Sequence, residues 1–208
     1  MTTRSTHIRR SDARDNRDRI LEAAREVFVA EGLDAPIREI ARRAEVGPAT
    51  LYRHFPTKEV LVAEAFTDQM LACRSIVDAG LADPDPWHGF CRAIEELCEV
   101  YARDRGFTAA FMSTFPHAMD FAALRTAALK GAAELLRRAK ATGRARPDIV
   151  LDDIILMIMA NNGIHAAGPR ARIAASRRFA ALMIDAFATS PELSPLPPVP
   201  RLMPGAPA

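Results

Sequence analysis

Ile37-Arg38-Glu39-Ile40-Ala41-Arg42-Arg43-Ala44-Glu45-Val46-Gly47-Pro48-Ala49-Thr50-Leu51-Tyr52-Arg53-His54-Phe55-Pro56-Thr57-Lys58 decides how this chain is read. Ile37, Ile40, Ala41 and Ala44 recur at helical spacing on one face. The pattern breaks at Glu45-Val46-Gly47, and a second helix can start at once. Gly47 is a tolerable N-cap, and Pro48 at the first helical position gives up no hydrogen bond that the helix would have made. Leu51 and Phe55 lie four residues apart and face inward, with Ala44 and Val46 as neighbours. Pro56 ends the segment, because proline disfavours the helical conformation at the residue before it. Two helices of about two turns joined by a tight turn describe a helix-turn-helix.

The outward face of the second helix carries the chemistry. Pro48, Ala49, Tyr52 and Arg53 point away from the Leu51/Phe55 edge, Thr50 and His54 flank them, and Lys58 follows. Small residues allow close approach, hydroxyls and cations bind phosphate, and an arginine can reach a base edge. That mix suits a helix N-terminus set into a major groove.

The run Ile40-Ala41, Ala44-Glu45-Val46 and Thr50-Leu51-Tyr52-Arg53-His54-Phe55-Pro56-Thr57-Lys58-Glu59 resembles the DNA-binding domain of the TetR family of bacterial transcriptional regulators. In that family Gly usually stands in the turn at Glu45, Ser or a related cap at Gly47, and Gly at Ala49. The departure at Glu45 matters because the position calls for positive φ, which costs a non-glycine residue about 1 kcal/mol or more; Gly47 is expected to absorb part of the turn. The resemblance implies an all-α protein with a three-helix DNA-binding head, joined by a long helix to a helical ligand-binding and dimerisation body. It further implies phosphate contacts from Thr50, Tyr52, His54 and Lys58, with Arg38, Pro48, Ala49 and Arg53 nearest base edges. The partners are then a palindromic double-stranded operator, a second copy of the chain, and a small apolar or amphipathic effector.

Composition agrees with this. The chain has 208 residues, 49% of them hydrophobic but only 6% aromatic, which favours helices over a β-rich fold. Net charge is +2, with 12 Lys+Arg against 9 Asp+Glu in residues 1–58 and 16 against 17 in the remainder. A modestly basic N-terminal part on a near-neutral body fits a local phosphate footprint. Cys73, Cys91 and Cys98 are too few and too irregular for a disulfide framework. Cys91 and Cys98, seven apart, are read as core thiols rather than a redox sensor. No apolar run approaches membrane-spanning length and the N-terminus is polar and Arg-rich without an apolar signal core, so the protein is expected in the cytoplasm.

The remaining organisation follows helical periodicity and breakers. Residues 1–14, with Arg4, Arg9, Arg10 and Arg14, are expected to form a basic flexible tail. The head is placed at 15–75, its first helix running from about Asp15 to Glu31 with Asp15 as cap and Gly32 beyond its end. Asp34 is expected to cap the next helix, and Thr57 a single long fourth helix reaching about Ala79. The effector-binding and dimerisation domain is placed at 76–189, with helices at about 87–103, 107–115, 120–142, 152–167 and 170–188. The run Ile154–Ala160 is apolar all round and is expected to be buried all round, against its own body and a partner. Ile154, Ile158, Leu182 and Met183 are expected to offer the dimer surface. Residues 190–208 are Pro-rich and read as an irregular tail.

A pocket is expected where Trp87, Phe90, Phe111, Phe115 and Met119 meet Asn161, Asn162 and His165, an apolar cavity with few polar groups. The chain shows no phosphate-cradling Gly loop, no HExxH and no nucleophile elbow, so no catalysis, cofactor or metal is expected. Two alternatives stand beside the ligand-released repressor: a regulator without a small-molecule effector, and an enzyme or binding body fused to a vestigial head.

Overall fold

The computed structural model describes residues 4–103, 107, 110, 119–198 and 202. Among them the secondary structure is helical, apart from an isolated antiparallel bridge between Ala145 and Ala188. The helices are α1 (Arg4–Glu31), α2 (Ile37–Arg43), α3 (Pro48–His54), α4 (Lys58–Ala65), α5 (Thr67–Leu81), α6 (Pro86–Arg103), α7 (Met119–Ala141), α8 (Leu151–Asn162) and α9 (Pro169–Phe187).

The head forms because α1 lays its apolar stripe across three short helices, α2, α3 and α4. Ile20, Ala24, Val27 and Phe28 of α1 are buried with Ile40, Ala41, Leu51, Phe55 and Leu61. Helices as short as α2 and α3 are not stable alone; this shared core holds them. α1 begins at Arg4 rather than near Asp15, so residues 4–14 continue the helical backbone and Asp15 does not cap it. No proline or glycine interrupts residues 4–31, and Gly32, at φ +82°, is the first break. Asp34 does not cap α2 either; its N-cap is Pro36, which offers no side-chain bond.

The turn between α2 and α3 holds Glu45 at φ +53°. Gly47 does not share that strain, since its φ is −70° as the N-cap of α3. The turn is fastened from α1. Arg19 Nη2 donates to the Ala44 carbonyl at 2.6 Å and to Glu45 Oε2 at 3.2 Å. Arg17 pairs with Glu64 of α4, and its Cζ lies 5.4 Å from the centre of the Phe55 ring.

The expected single fourth helix is two. Phe66 leaves helical geometry (φ −113°, ψ 8°), closing α4 and opening α5. Its fully buried ring sits 6.1 Å from Phe28 of the head and 6.1 Å from Phe107 of the body. The groups exposed by the break are satisfied: Arg25 Nε donates to the Ala65 carbonyl at 2.6 Å, and Thr67 Oγ1 to the Ala63 carbonyl at 2.8 Å. Thr57 does cap α4, accepting from Val60 N at 3.3 Å.

In the body, α5 packs on α6 and α7, and α6 is the axis against which α7, α8 and α9 rest. Asp85 caps α6 through Oδ1, which accepts from Trp87 N and His88 N at 2.9 and 3.2 Å. α5 and α6 touch backbone to backbone at Gly80 and Gly89. A Cβ on Gly80 would fall 2.8 Å from the Gly89 carbonyl oxygen, and one on Gly89 would collide with the Gly80 carbonyl. The core that starts in the head continues through α5 and α6 without a gap.

α8 is not buried all round. It ends at Asn162, and Leu156 and Met159 stand 49% and 42% exposed. Ile154 and Ile158 belong to the protomer's own core, so they are not the dimer surface expected of them; Leu182 on α9 is 57% exposed and Met183 half-buried. The chain after α9 is irregular as expected, but it is not loose. Asp148 Oδ2 accepts from Leu196 N at 3.3 Å, and Asp152 Oδ1 from Leu202 N at 2.9 Å. Of the expected helix at 107–115, only Phe107 and Ala110 are described, both helical; the rest lies outside the described residues.

Three outcomes follow from this packing. Gly89→Ala should lower stability by about 1–3 kcal/mol through overpacking at a backbone contact, measured by urea unfolding. Glu45→Gly should raise it by roughly 0.5–1 kcal/mol, because relief of the left-handed conformation outweighs the added chain entropy and the loss of an exposed ion pair. Arg146 beside Asp148 holds the Asp148 carboxyl down to about 2. A folded value below the ordinary ~3.9 means that the contact is complete above that range and is lost as pH falls toward 2. Amide exchange at Leu196, corrected for its intrinsic pH dependence, should therefore stay slow near neutral pH and quicken only below about pH 4.

Candidate nucleic-acid interface

α3 is pinned by Leu51 and Phe55, both fully buried, so its orientation is fixed from beneath. Its opposite side is then open. Pro48, Ala49, Tyr52 and Arg53 are exposed, whereas Thr50 and His54 are half-buried at the flanks. Ala49, Tyr52 and Arg53 fall at i, i+3 and i+4, a single helical stripe. Arg53 Nη2 donates to Thr50 Oγ1 at 3.0 Å, which lays the guanidinium along the helix beside that stripe. His54 lies over Phe55 with ring centres 6.3 Å apart. Lys58 opens α4 directly after the Thr57 cap, and Arg38 is exposed on α2, which packs on α3.

Charge pairing separates the cations of this region into two groups. Arg42 makes two bonds to Glu39, at 2.8 and 2.6 Å, and holds that carboxyl below its ordinary range. Arg43 lies 3.8 Å from both Glu39 and Glu26. These arginines are spent on carboxylates of α2 and α1. Arg38, Arg53 and Lys58 have no ion pair among the described residues, so their charge is available to a phosphate or a base edge. Arg17, Arg19 and Arg25, which support this face from α1, were not singled out by the sequence. Their partners lie 25 to 47 residues away, and no local pattern marks them.

The expected effector residues are placed differently. Trp87 stacks on Phe90 with ring centres 5.7 Å apart, and Phe90 contacts Phe187 at 6.2 Å, all three buried. Asn161 is buried and engaged: Nδ2 donates to the Cys98 carbonyl at 2.9 Å, and Oδ1 accepts from Ser176 Oγ at 2.8 Å. Asn162 is half-buried at the end of α8. His165 is exposed in the α8–α9 loop, with Nδ1 2.7 Å from the Gly163 carbonyl. Among the described residues the polar and aromatic groups thus do not meet: Trp87 and Phe90 seal the end of α6, Asn161 locks α6 to α8 and α9, and His165 faces outward. Phe111, Phe115 and the Met119 side chain lie outside the described residues. Burial pushes the Cys73 and Cys98 thiols up to about 12 and the half-buried Cys91 up to about 11. All three are held as thiols at neutral pH, the unreactive form. No group of metal-ligating side chains occurs among the described residues, nor any helix long and apolar enough to cross a membrane.

Comparison with known proteins matches both halves of this architecture. Residues 20–65 match the family model for bacterial regulatory proteins of the TetR family, and residues 85–186 that of the SbtR-like transcriptional regulator C-terminal domain. Over 55 residues the chain is 49% identical to the HTH-type regulator TtgW of Pseudomonas putida, a match covering 26% of this chain and 41% of that one. It is 32% identical over 101 residues to the regulator TcmR of Streptomyces glaucescens, covering 45% of each. The chain therefore matches less than half the length of these two relatives. Among solved structures, the TetR regulatory protein of Mycobacterium vanbaalenii is 30% identical, with 86% of this chain and 99% of that one covered at a TM-score of 0.50. The ketosteroid regulator KstR2 of Mycobacterium tuberculosis, 21% identical over 84% of this chain and 95% of that one, shares the fold at a TM-score of 0.64. A helix-turn-helix head matched by one model, a helical body matched by another, and a relative covered along nearly its whole length place this chain in the TetR family of bacterial regulatory proteins.

Proposed function

We propose that the protein is a sequence-specific DNA-binding transcriptional regulator, a repressor that leaves its operator when a small molecule binds the body. The observation that carries the DNA-binding part is the open α3 face, where Arg38, Arg53 and Lys58 have no ion pair among the described residues while neighbouring arginines are neutralised. Thr50, Tyr52, His54 and Lys58 hold phosphates; Arg38, Pro48, Ala49 and Arg53 lie against base edges. Two copies read a palindrome, their heads set in successive major grooves about 34–36 Å apart or a multiple of that. The exposed Leu156, Met159 and Leu182 support dimerisation through α8 and α9. The repressor is released through the Phe66 break, since α4 rests on α1 and α5 rests on the body. A ligand moves that junction only to the extent that it binds one conformation better than the other.

One observation favours a second reading, a regulator without a small-molecule effector. Trp87 stacks on Phe90, Phe90 packs against Phe187, and Asn161 is already hydrogen-bonded. Control then rests on abundance or on a protein partner.

The test is a gel shift on the DNA upstream of the protein's own gene, repeated across salt concentrations. Arg38→Ala should cost roughly 1–3 kcal/mol on the operator and relax preference at one position. Lys58→Ala should weaken binding to all sequences alike and reduce the salt slope by about one. Operator binding unchanged in both variants would remove this face from the interface.

A further inference from the structure

The chain after α9 takes a definite path. Ala188 bridges to Ala145, and Arg146 N donates to the Phe187 carbonyl at 2.9 Å, Thr189 N to the Arg144 carbonyl at 2.8 Å. Arg146 is buried, and its guanidinium does two things at once. It holds Asp148 through two bonds of 2.7 and 2.9 Å, and it donates to the Ser194 carbonyl at 2.9 Å. Asp148 in turn accepts from Leu196 N, and Asp152 at the start of α8 accepts from Leu202 N. Leu202 packs on the core. Pro191, Pro195, Pro197 and Pro198 restrict the unbound chain, so fixing it in an extended course costs less entropy than fixing an ordinary loop. The result is a strap with anchors at 189, 194, 196 and 202. It lies beyond residue 186, where the match to the family's C-terminal model stops.

The strap ends up beside the dimer-forming helices. Leu196, 41% exposed, forms one wall of an apolar groove of about 320 Å³ whose other walls include Leu156 of α8 and Phe179 and Met183 of α9. We propose that this strap is part of the surface on which a second copy of the chain docks, with Leu196 extending the apolar face of α8 and α9. The inference rests on the homodimer reading above. A second copy fits better than a peptide or a lipid because the face carries both halves of a self-complementary contact. It has a groove and, on the same helix α9, the protruding Leu182, as a two-fold interface requires. Among the described residues, Leu156, Met159, Leu182 and Leu196 also make up a large share of the exposed bulky apolar side chains, a concentration that a monomer seldom leaves in water. The pair of buried Arg146 and exposed Asp148 is the foot of the strap: it holds Leu196 in the groove wall by bonding the backbone on either side of Pro195.

Sedimentation of the full chain over a dilution series tests this, alongside Leu196→Asp, Leu182→Asp and a chain ending at Thr189. Leu196→Asp and the truncation should each raise the dimer dissociation constant by about tenfold or more, with the helical circular dichroism of Leu196→Asp unchanged. If the truncated chain loses helicity, Leu196→Asp decides alone, since an exposed side chain can be changed without unfolding the protomer. A Leu196→Asp dimer within about twofold of wild type, while Leu182→Asp dissociates, overturns the strap's role and leaves the α8–α9 dimer standing. A wild-type monomer throughout, or a dimer indifferent to both substitutions, overturns the two together.

Discussion

The ring of Phe66 is the contact on which the two halves of this protein depend. It is fully buried where α4 gives way to α5, with Phe28 of the head on one side and Phe107 of the body on the other. Phe107 in turn stacks on Tyr101 of α6, with ring centres 5.0 Å apart. Aromatic pairs at such distances contribute about 0.5–1.5 kcal/mol each beyond the area that they bury. Their larger consequence is geometric. A continuous helix would carry its side chains past this point in regular rotation; the break lets one ring enter both cores. The head is therefore packed onto the body rather than tethered to it, and a change in the body's packing near α6 has a direct route to α1.

A second constraint sets the α3 face. The turn before α3 needs a left-handed residue, and here it is a glutamate at φ +53° rather than glycine. Such strain persists when the surroundings over-determine it. Arg19 supplies that determination, taking the Ala44 carbonyl and the Glu45 carboxylate together, while Arg17 braces the far end against Phe55 and Glu64. These arginines are structural. The division between them and the unpaired Arg38, Arg53 and Lys58 is what turns a modest net charge into a localised positive face.

Much of the head was legible in the sequence because its signals are local. The spacing of Ile37, Ile40, Ala41 and Ala44, the Gly47-Pro48 start and the Phe55-Pro56 stop all act within a turn or two of the chain, and the helices form where those signals place them. The Thr57 cap and the Gly32 terminus are of the same kind. The effector cluster was less legible. Aromatic and methionine side chains in neighbouring helices look alike whether they line a cavity or fill a core. Trp87 stacks on Phe90, which packs on Phe187, nearly 100 residues away in the chain, and Asn161 is taken up by Cys98 and Ser176.

By itself the sequence determined the all-helical class, the helix-turn-helix and its inward and outward faces, since helical periodicity, caps and breakers depend only on near neighbours. Tertiary structure alone decided four matters. It split the fourth helix at Phe66, because a buried ring between two cores outweighs uninterrupted backbone bonding. It turned Ile154 and Ile158 inward and left Leu156, Met159 and Leu182 outward, because which side of an all-apolar helix is covered depends on where α6 lies. It fastened the Pro-rich end to Asp148 and Asp152 through backbone amides, which carry no sequence signature. And it sorted the arginines of the head into braces and free charges, because pairing depends on distances across 25 to 47 residues that no local pattern encodes.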